Sequence, residues 1–281
     1  MAKSLLLFLS LFSVAHLSRC QSAAQKPLPE ACGSRVYRDS LVARYIDRGA
    51  QRFSYLHPNW TRYCDSLIAI CPNIAVAYQQ KAVPLIKEGQ YAEAFVLEDK
   101  AATLDPQRWM AYRGFLKCIF TKDYDGAILD FQAAARFNAN GREMDHTYPF
   151  FEGLSNLELK NYAKSEVDFK LDRALQQGPD GKGSLHFNTL FYSGVLYFEM
   201  KKYAQAKIYL QQCLQQYAKH PEANYYLALT YQTQGNEALA RRHLDTAQQA
   251  LAAGNQLNED NIYYANYPRQ ITAFEVQQAR R

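Results

Sequence analysis

The chain of 281 residues holds six histidines and six cysteines, the side chains best suited to ligate metal or to serve as base and nucleophile. Beyond the N-terminal stretch the histidines are His57, His146, His186, His220 and His243. None stands at a metal-ligand spacing with a cysteine or carboxylate, and no nucleophile can be matched with a base. Gly178-Pro179-Asp180-Gly181-Lys182-Gly183-Ser184 echoes a phosphate loop. It lacks the four-residue interval between its glycines, however, and follows a helical pattern rather than a strand, so it reads as a connector. Asn59-Trp60-Thr61 matches a glycosylation acceptor. The expectation is therefore a protein that is not an enzyme and that needs no cofactor and no metal. His146, His186 and His220 fall near the start of three successive helical segments, where they are expected to be solvated.

The segments carrying these residues repeat. Gly89-Gln90-Tyr91-Ala92-Glu93-Ala94 returns as Lys122-Asp123-Tyr124-Asp125-Gly126-Ala127 and as Lys160-Asn161-Tyr162-Ala163-Lys164-Ser165. It returns again as Lys201-Lys202-Tyr203-Ala204-Gln205-Ala206 and, more weakly, as Gly235-Asn236-Glu237-Ala238-Leu239-Ala240. The last residues of the copies are 127 − 94 = 33, 165 − 127 = 38, 206 − 165 = 41 and 240 − 206 = 34 apart. A period near 34 means stacked supersecondary units rather than one globular core. Within the last copy, Tyr226, Leu227, Ala228 and Tyr231 follow helical spacing before Gly235-Asn236. Leu239, Ala240, Leu244, Ala247 and Leu251 resume it afterwards. Two amphipathic helices around a short turn make a helical hairpin. The Tyr of the turn phrase can close that hairpin with its ring while its hydroxyl stays wet.

The pattern resembles the tetratricopeptide repeat, which runs Trp-x-x-Leu-Gly-x-x-Tyr, then Ala-x-x-x-Phe, Ala and Pro. Leu190, Ser193, Gly194, Tyr197, Ala206 and Leu210 carry it in the fourth copy; Leu227, Ala228, Tyr231, Ala240, Leu244 and Ala247 carry it in the fifth. Ala127, Phe131 and Ala134, then Gly153, Ser165 and Phe169, and Ala82, Leu85, Ala94, Ala101 and Pro106 carry it in the others. The first copy departs from the pattern with Lys81 and Glu98 at usually apolar places, and Pro84 is expected to kink its first helix. The second copy runs one residue out of register around Gly114. Asn138 to Thr147 and Gly178 to Gly183 supply the longer connections that the 38 and 41 spacings require. The resemblance implies an all-α, right-handed superhelical solenoid of about five hairpins with capping helices at both ends.

Residues 1–24 combine Lys3 with an apolar run from Leu5 to Leu17 and hold no acidic residue, the composition of an export signal. Ser22-Ala23-Ala24 offers a cleavage site. Leu17-Ser18-Arg19-Cys20 loosely resembles a bacterial lipoprotein box, although Arg19 stands where a small residue is usual, so lipidation of Cys20 is the alternative outcome. Residues 25–73 read as a linker and a degenerate capping pair, with helical periodicity over Val36–Tyr45 and Trp60–Ile70. Residues 74–252 read as the repeats. Residues 253–281 read as a linker and a capping helix opened by Pro268. Cys64 and Cys71 lie seven apart on one helix, too far to bond each other, and Cys32 can pair with one of them in an oxidising compartment. Cys213 falls where the repeat takes Ala, as a small buried hydrophobe. Removing Lys3 and Arg19 lowers the net charge from +5 to +3, too little to argue for nucleic acid or an anionic membrane.

In the resembling family the first helix of each pair lines the concave surface. That carry-over puts Tyr112, Phe150, Phe191 and Tyr225 in equivalent places, headed by Gln79 and flanked by Tyr192. The Lys, Arg and Asn set with which some members clamp a terminal carboxylate is missing. An aromatic row suits an extended peptide, because flat rings bury large area with little entropy loss. The same rings serve equally to pack neighbouring helices, and the C-terminal helix is an alternative occupant of the groove. The leading expectation is an exported, non-enzymatic scaffold or adaptor of the bacterial periplasm or cell envelope that binds a protein or peptide. It would meet the membrane only through an anchor at Cys20. The alternative is a glycan-binding accessory protein of an uptake system, for which Trp60 and Trp109 are the only tryptophans.

Overall fold

Each copy of the turn phrase begins on a residue in the left-handed region: Gly89 (φ 75°), Lys122 (59°), Lys160 (61°), Lys201 (59°) and Gly235 (72°). Such a residue ends a helix, because it turns the chain so that outer amides reach back to the last carbonyls. The next amide does so in every copy, as Gln90 N–H donates to Leu85 O (2.8 Å), Asn161 to Asn156 (2.8 Å), Lys202 to Tyr197 (2.8 Å) and Asn236 to Tyr231 (2.9 Å). The phrase is therefore the hinge of a helical hairpin, and its Tyr91, Tyr124, Tyr162 and Tyr203 sit half-buried against it.

The computed structural model describes residues 28–255 and 267–281, so the export segment and Cys20 lie outside it. An N-terminal pair, α1 (Arg35–Val42) and α2 (Pro58–Ile70), precedes five hairpins. These are α3 (Ala75–Lys87) with α4 (Tyr91–Leu104), α5 (Pro106–Leu116) with α6 (Tyr124–Ala135), and α7 (Tyr148–Glu158) with α8 (Tyr162–Gln177). α9 (Phe187–Glu199) with α10 (Tyr203–Gln216) and α11 (Pro221–Thr233) with α12 (Glu237–Ala252) complete the array, and α13 (Ala273–Ala279) closes it. Each second helix packs on its own partner and on the first helix of the following hairpin, which makes the stack a solenoid. α3 continues through Pro84. The connection before α7 holds a two-residue antiparallel bridge of Arg142–Glu143 with His146–Thr147.

The out-of-register copy has a structural cause. From the small residue of the first helix to the first residue of the second helix the interval is nine in four copies, 91 − 82, 162 − 153, 203 − 194 and 237 − 228, but ten in the second, 124 − 114. The extra residue is taken up by a π-helical turn over Lys117–Thr121, and the closing bond lengthens to match, with Asp123 N–H donating to Lys117 O at 3.0 Å.

Small residues set the hairpin spacing. A Cβ on Gly194 would stand 2.6 Å from Leu210 Cγ and 3.3 Å from the Leu210 backbone nitrogen, so α9 and α10 approach to a distance only Gly permits. On the second helices the residue four after each phrase's end fills the hairpin interior: Phe131, Phe169, Leu210 and Leu244 are all buried there. In α4 that place holds Glu98, fully buried, with neither carboxyl oxygen hydrogen-bonded.

The N-terminal pair has its own core around Trp60, Cys64 and Leu67. Cys71, the residue that follows α2, bonds Cys32 with the Cα atoms 5.7 Å apart, and Cys64 stays free and buried. The C-terminal helix begins later than Pro268 predicts. Thr272 caps α13 reciprocally with Glu275, because its hydroxyl and the Glu275 carboxylate satisfy amides that Pro268 cannot serve from four residues upstream. Residues 267–271 instead run as a strap ahead of the helix.

Candidate functional site

The aromatic residues expected to line the concave face form one continuous spine. Tyr112 meets Phe115 at 6.1 Å between ring centroids, and Phe115 meets Phe151 at 5.8 Å. The series continues through Phe150, Tyr192, Phe191 and Tyr226 to Tyr225 at 4.8 to 6.0 Å. The spine is interior for most of its length. Phe150, Phe191 and Tyr192 have no exposed surface, which corrects the expectation that they stand open on a groove. The physical reason lies in α9, buried at every residue from Asn188 to Tyr197. This first helix, flanked by two neighbouring hairpins and its own partner, is buried all round, its polar Asn188, Thr189 and Ser193 included, so periodicity cannot single out a solvent face. Tyr112 and Tyr225 remain half-buried. Gln79 stands apart from the spine, buried, its Oε1 accepting from Gln80 Nε2 at 2.8 Å.

The three helix-start histidines are also not solvated as expected. His146 and His220 are buried and His186 is half-buried. His186 Nδ1 caps α9 by accepting from the Asn188 amide at 3.1 Å. His220 Nδ1 lies 3.3 Å from the Ala223 amide and 3.1 Å from Glu222 Oε2. His146 stacks on Phe150 at 3.9 Å and packs edge-on against His186 at 4.6 Å. Burial, with His186 beside it, pushes His146 down to about 3, so its ring is neutral at pH 7. Beside them the buried Asp172 accepts from Thr147, Thr189 and Gln176, each at 2.7 Å, which ties the start of α7 and α9 to α8. These contacts fasten helix ends.

A second cluster, at the other end of the first helices, was missed by reasoning from sequence. Glu158 and Glu199 are the last residues of α7 and α9. A carboxylate at a helix C-terminus meets the negative end of the helix dipole, so a cation placed there is favoured. Arg269 of the strap supplies it: its Nε donates to Glu158 at 2.7 Å and one Nη to Glu199 at 2.6 Å. Tyr226 lies close enough to the same guanidinium for the two to interact electrostatically. One residue earlier, the buried Tyr192 hydroxyl donates to Pro268 O at 2.8 Å. Tyr267 is buried in the main core, and Ile271 and Val276 pack with Ala228 and Leu244 of the last hairpin. The signal was present in the sequence, because each Glu stands two residues before its left-handed Lys, 160 − 158 and 201 − 199.

No family profile and no curated protein matches the sequence. Solved structures do match the fold. A tetratricopeptide repeat protein from Parabacteroides merdae aligns at 13% identity over 76% of this chain and 79% of its own, with a TM-score of 0.60. The Cut9–Hcn1 hetero-tetramer of the APC/C aligns at 16% identity over 89% of this chain and 45% of that chain, with a TM-score of 0.58. PilF of Pseudomonas aeruginosa aligns at 19% identity over 66% of this chain and 78% of its own, with a TM-score of 0.51. Five stacked hairpins, a hinge phrase that opens on a left-handed residue in every copy and these alignments together make the chain a solenoid of the tetratricopeptide-repeat fold.

Proposed function

We propose that the chain is a non-enzymatic protein–protein interaction scaffold that holds a polypeptide segment against the first helices of its hairpins. One observation carries this reading: residues 267–269 already lie there, bound through a backbone carbonyl to Tyr192 and through a side chain to Glu158 and Glu199. Peptide segments are recognised in this way, by groups that fix the backbone together with sites for particular side chains. Tyr112 and Tyr225, half-buried at either end of the spine, are the rings offered to a partner. The test is capture from envelope extract with the mature chain as bait, beside Tyr112→Ala. Partners retained by the parent and lost by a folded Tyr112→Ala variant are expected, whereas equal retention by both would remove the inner face from the reading.

We further propose an exported protein of the periplasm or cell envelope, on the strength of residues 1–24. The Cys32–Cys71 bond supports this, because disulfides persist in oxidising compartments and are rare in the cytosol. Intact mass after expression in a bacterium that processes lipoproteins separates cleavage near Ala24 from acylation at Cys20, and a full-length, uncleaved mass would refute export.

A further inference from the structure

The strap is seated as a ligand is seated. Its carbonyl at Pro268 is met by a tyrosine hydroxyl with no solvent exposure of its own. Its guanidinium bridges two carboxylates on consecutive hairpins, a span that a single hairpin cannot offer. Arg269 adopts φ 64°, in the left-handed region that non-glycine residues visit at a cost, and is held there by contacts from α7, α9 and α11. Apart from the strap, the hydroxyl of Tyr162 donates one long hydrogen bond to the pair, to Glu199 at 3.5 Å. Without the strap, Glu158 and Glu199 would be two like charges at the unfavourable ends of two helices; with the strap seated over them their side chains are only 17% and 25% exposed.

We propose that Glu158, Glu199 and the hydroxyls of Tyr192 and Tyr226 form a binding site for an arginine presented on a peptide turn, and that Tyr267–Arg269 is its resident occupant, which a partner's arginine-bearing segment must displace. The proposal deepens the scaffold reading and rests on it, by naming the chemistry of the partner at this part of the inner face. Arginine rather than lysine fits, because its rigid fork puts two different nitrogens, Nε and Nη, on the two carboxylates, whereas a lysine would have to bring a single nitrogen within reach of both. Cis occupancy gives the site a threshold. A tethered segment competes at the high effective concentration its linkage sets, so a free peptide binds weakly until the strap is loosened.

The test uses the mature full chain and a fluorescein-labelled peptide, Asn-Tyr-Pro-Arg-Gln-Ile-Thr, with the sequence of residues 266–272. Arg269→Ala should bind this peptide at least tenfold more tightly than the parent chain, by anisotropy. The gain should vanish when the peptide arginine is replaced by citrulline, and when Glu158→Gln and Glu199→Gln are added to the protein. Equal binding by parent and Arg269→Ala, or binding indifferent to the peptide's arginine, overturns the proposal. If Arg269→Ala does not fold, the parent chain is read instead. Excess peptide must then raise amide hydrogen exchange across Tyr267–Ile271, and unchanged exchange overturns the proposal. The scaffold reading is judged separately by capture from envelope extract. Partners held equally by parent and Arg269→Ala leave that reading standing while this one falls, and no partner on either protein removes both.

Discussion

Replacing Glu98 with leucine should stabilise the protein, and the gain should depend on pH in a way that identifies its source. Glu98 occupies in α4 the place that Phe131, Phe169, Leu210 and Leu244 fill in the other hairpins. It is fully buried, and neither oxygen has a partner. Burial pushes its carboxyl from the ordinary 4.5 up to about 8, against the pull of Arg113. The folded chain therefore holds a proton that the unfolded chain releases between those values, so stability falls as pH rises through that window and levels off above it. At 1.36 kcal/mol per pH unit, the span from 4.5 to 7 amounts to roughly 3 kcal/mol lost at neutral pH. Glu98→Leu removes that loss and adds apolar burial, which corresponds to a rise of roughly 6–12 °C in Tm at pH 7 for a domain of this size. Thermal melts of the parent, Glu98→Leu and Glu98→Gln from pH 4.5 to 8.5 provide the measurement. The parent should lose stability toward alkaline pH while both variants run flatter, with Glu98→Gln showing the flattening without the gain from packing. Parallel curves for the three proteins, or a Glu98→Leu variant less stable than the parent at pH 7, would refute the reasoning.

Gly194→Leu should cost roughly 1–3 kcal/mol, since even its Cβ would stand 2.6 Å from Leu210 Cγ, and an unchanged Tm would mean the α9–α10 approach is wrong. Phe191→Ala should cost roughly 3–5 kcal/mol because the ring is wholly interior. Tyr225→Ala, at a half-buried ring, should lower Tm less, and equal losses would contradict the burial difference. Cys32→Ser should destabilise the N-terminal pair by up to about 4 kcal/mol, as expected for opening a loop of separation 39, with hydrogen exchange rising in α1 and α2 before the later hairpins respond. Cys64, Cys118 and Cys213 are buried, and burial pushes each thiol up to about 12, so a thiol reagent at pH 8 should label none until the chain unfolds; prompt labelling of any one would place it wrongly.

The hinge phrase and its spacing made the hairpins legible, because each first residue of the phrase is a turn position whose geometry depends on a few neighbouring residues. Glu98 and Gly114 were visible as departures, since a periodic pattern exposes its own exceptions. The inner face was not legible. Phe150, Phe191 and Tyr225 occupy one repeat position, yet two are interior and one is half-open, because exposure depends on what packs from adjacent hairpins and from residues 267–271, far along the chain. The Arg269 contacts join residues 111 and 70 positions apart, and no local pattern announces a partner at such a distance. The disulfide stood as a choice between two cysteines, and the end of α2 decided it by placing Cys71, rather than Cys64, beside Cys32.

The wide turn at Lys117–Thr121 has a consequence for how this chain can change length. In an uninterrupted helix, one inserted residue rotates everything downstream by about 100° and turns a buried face outward. Here the added residue is confined between Gly114 and Asp123, and the next phrase opens on a left-handed residue as it does elsewhere. Each hinge thus resets the angular phase of the chain, and an insertion in one hairpin is invisible to the next. Removing one residue from that turn should give an ordinary α-helical hairpin and leave its neighbours in place. Length is regulated locally in this architecture, so copies can drift in size while the stack keeps its order.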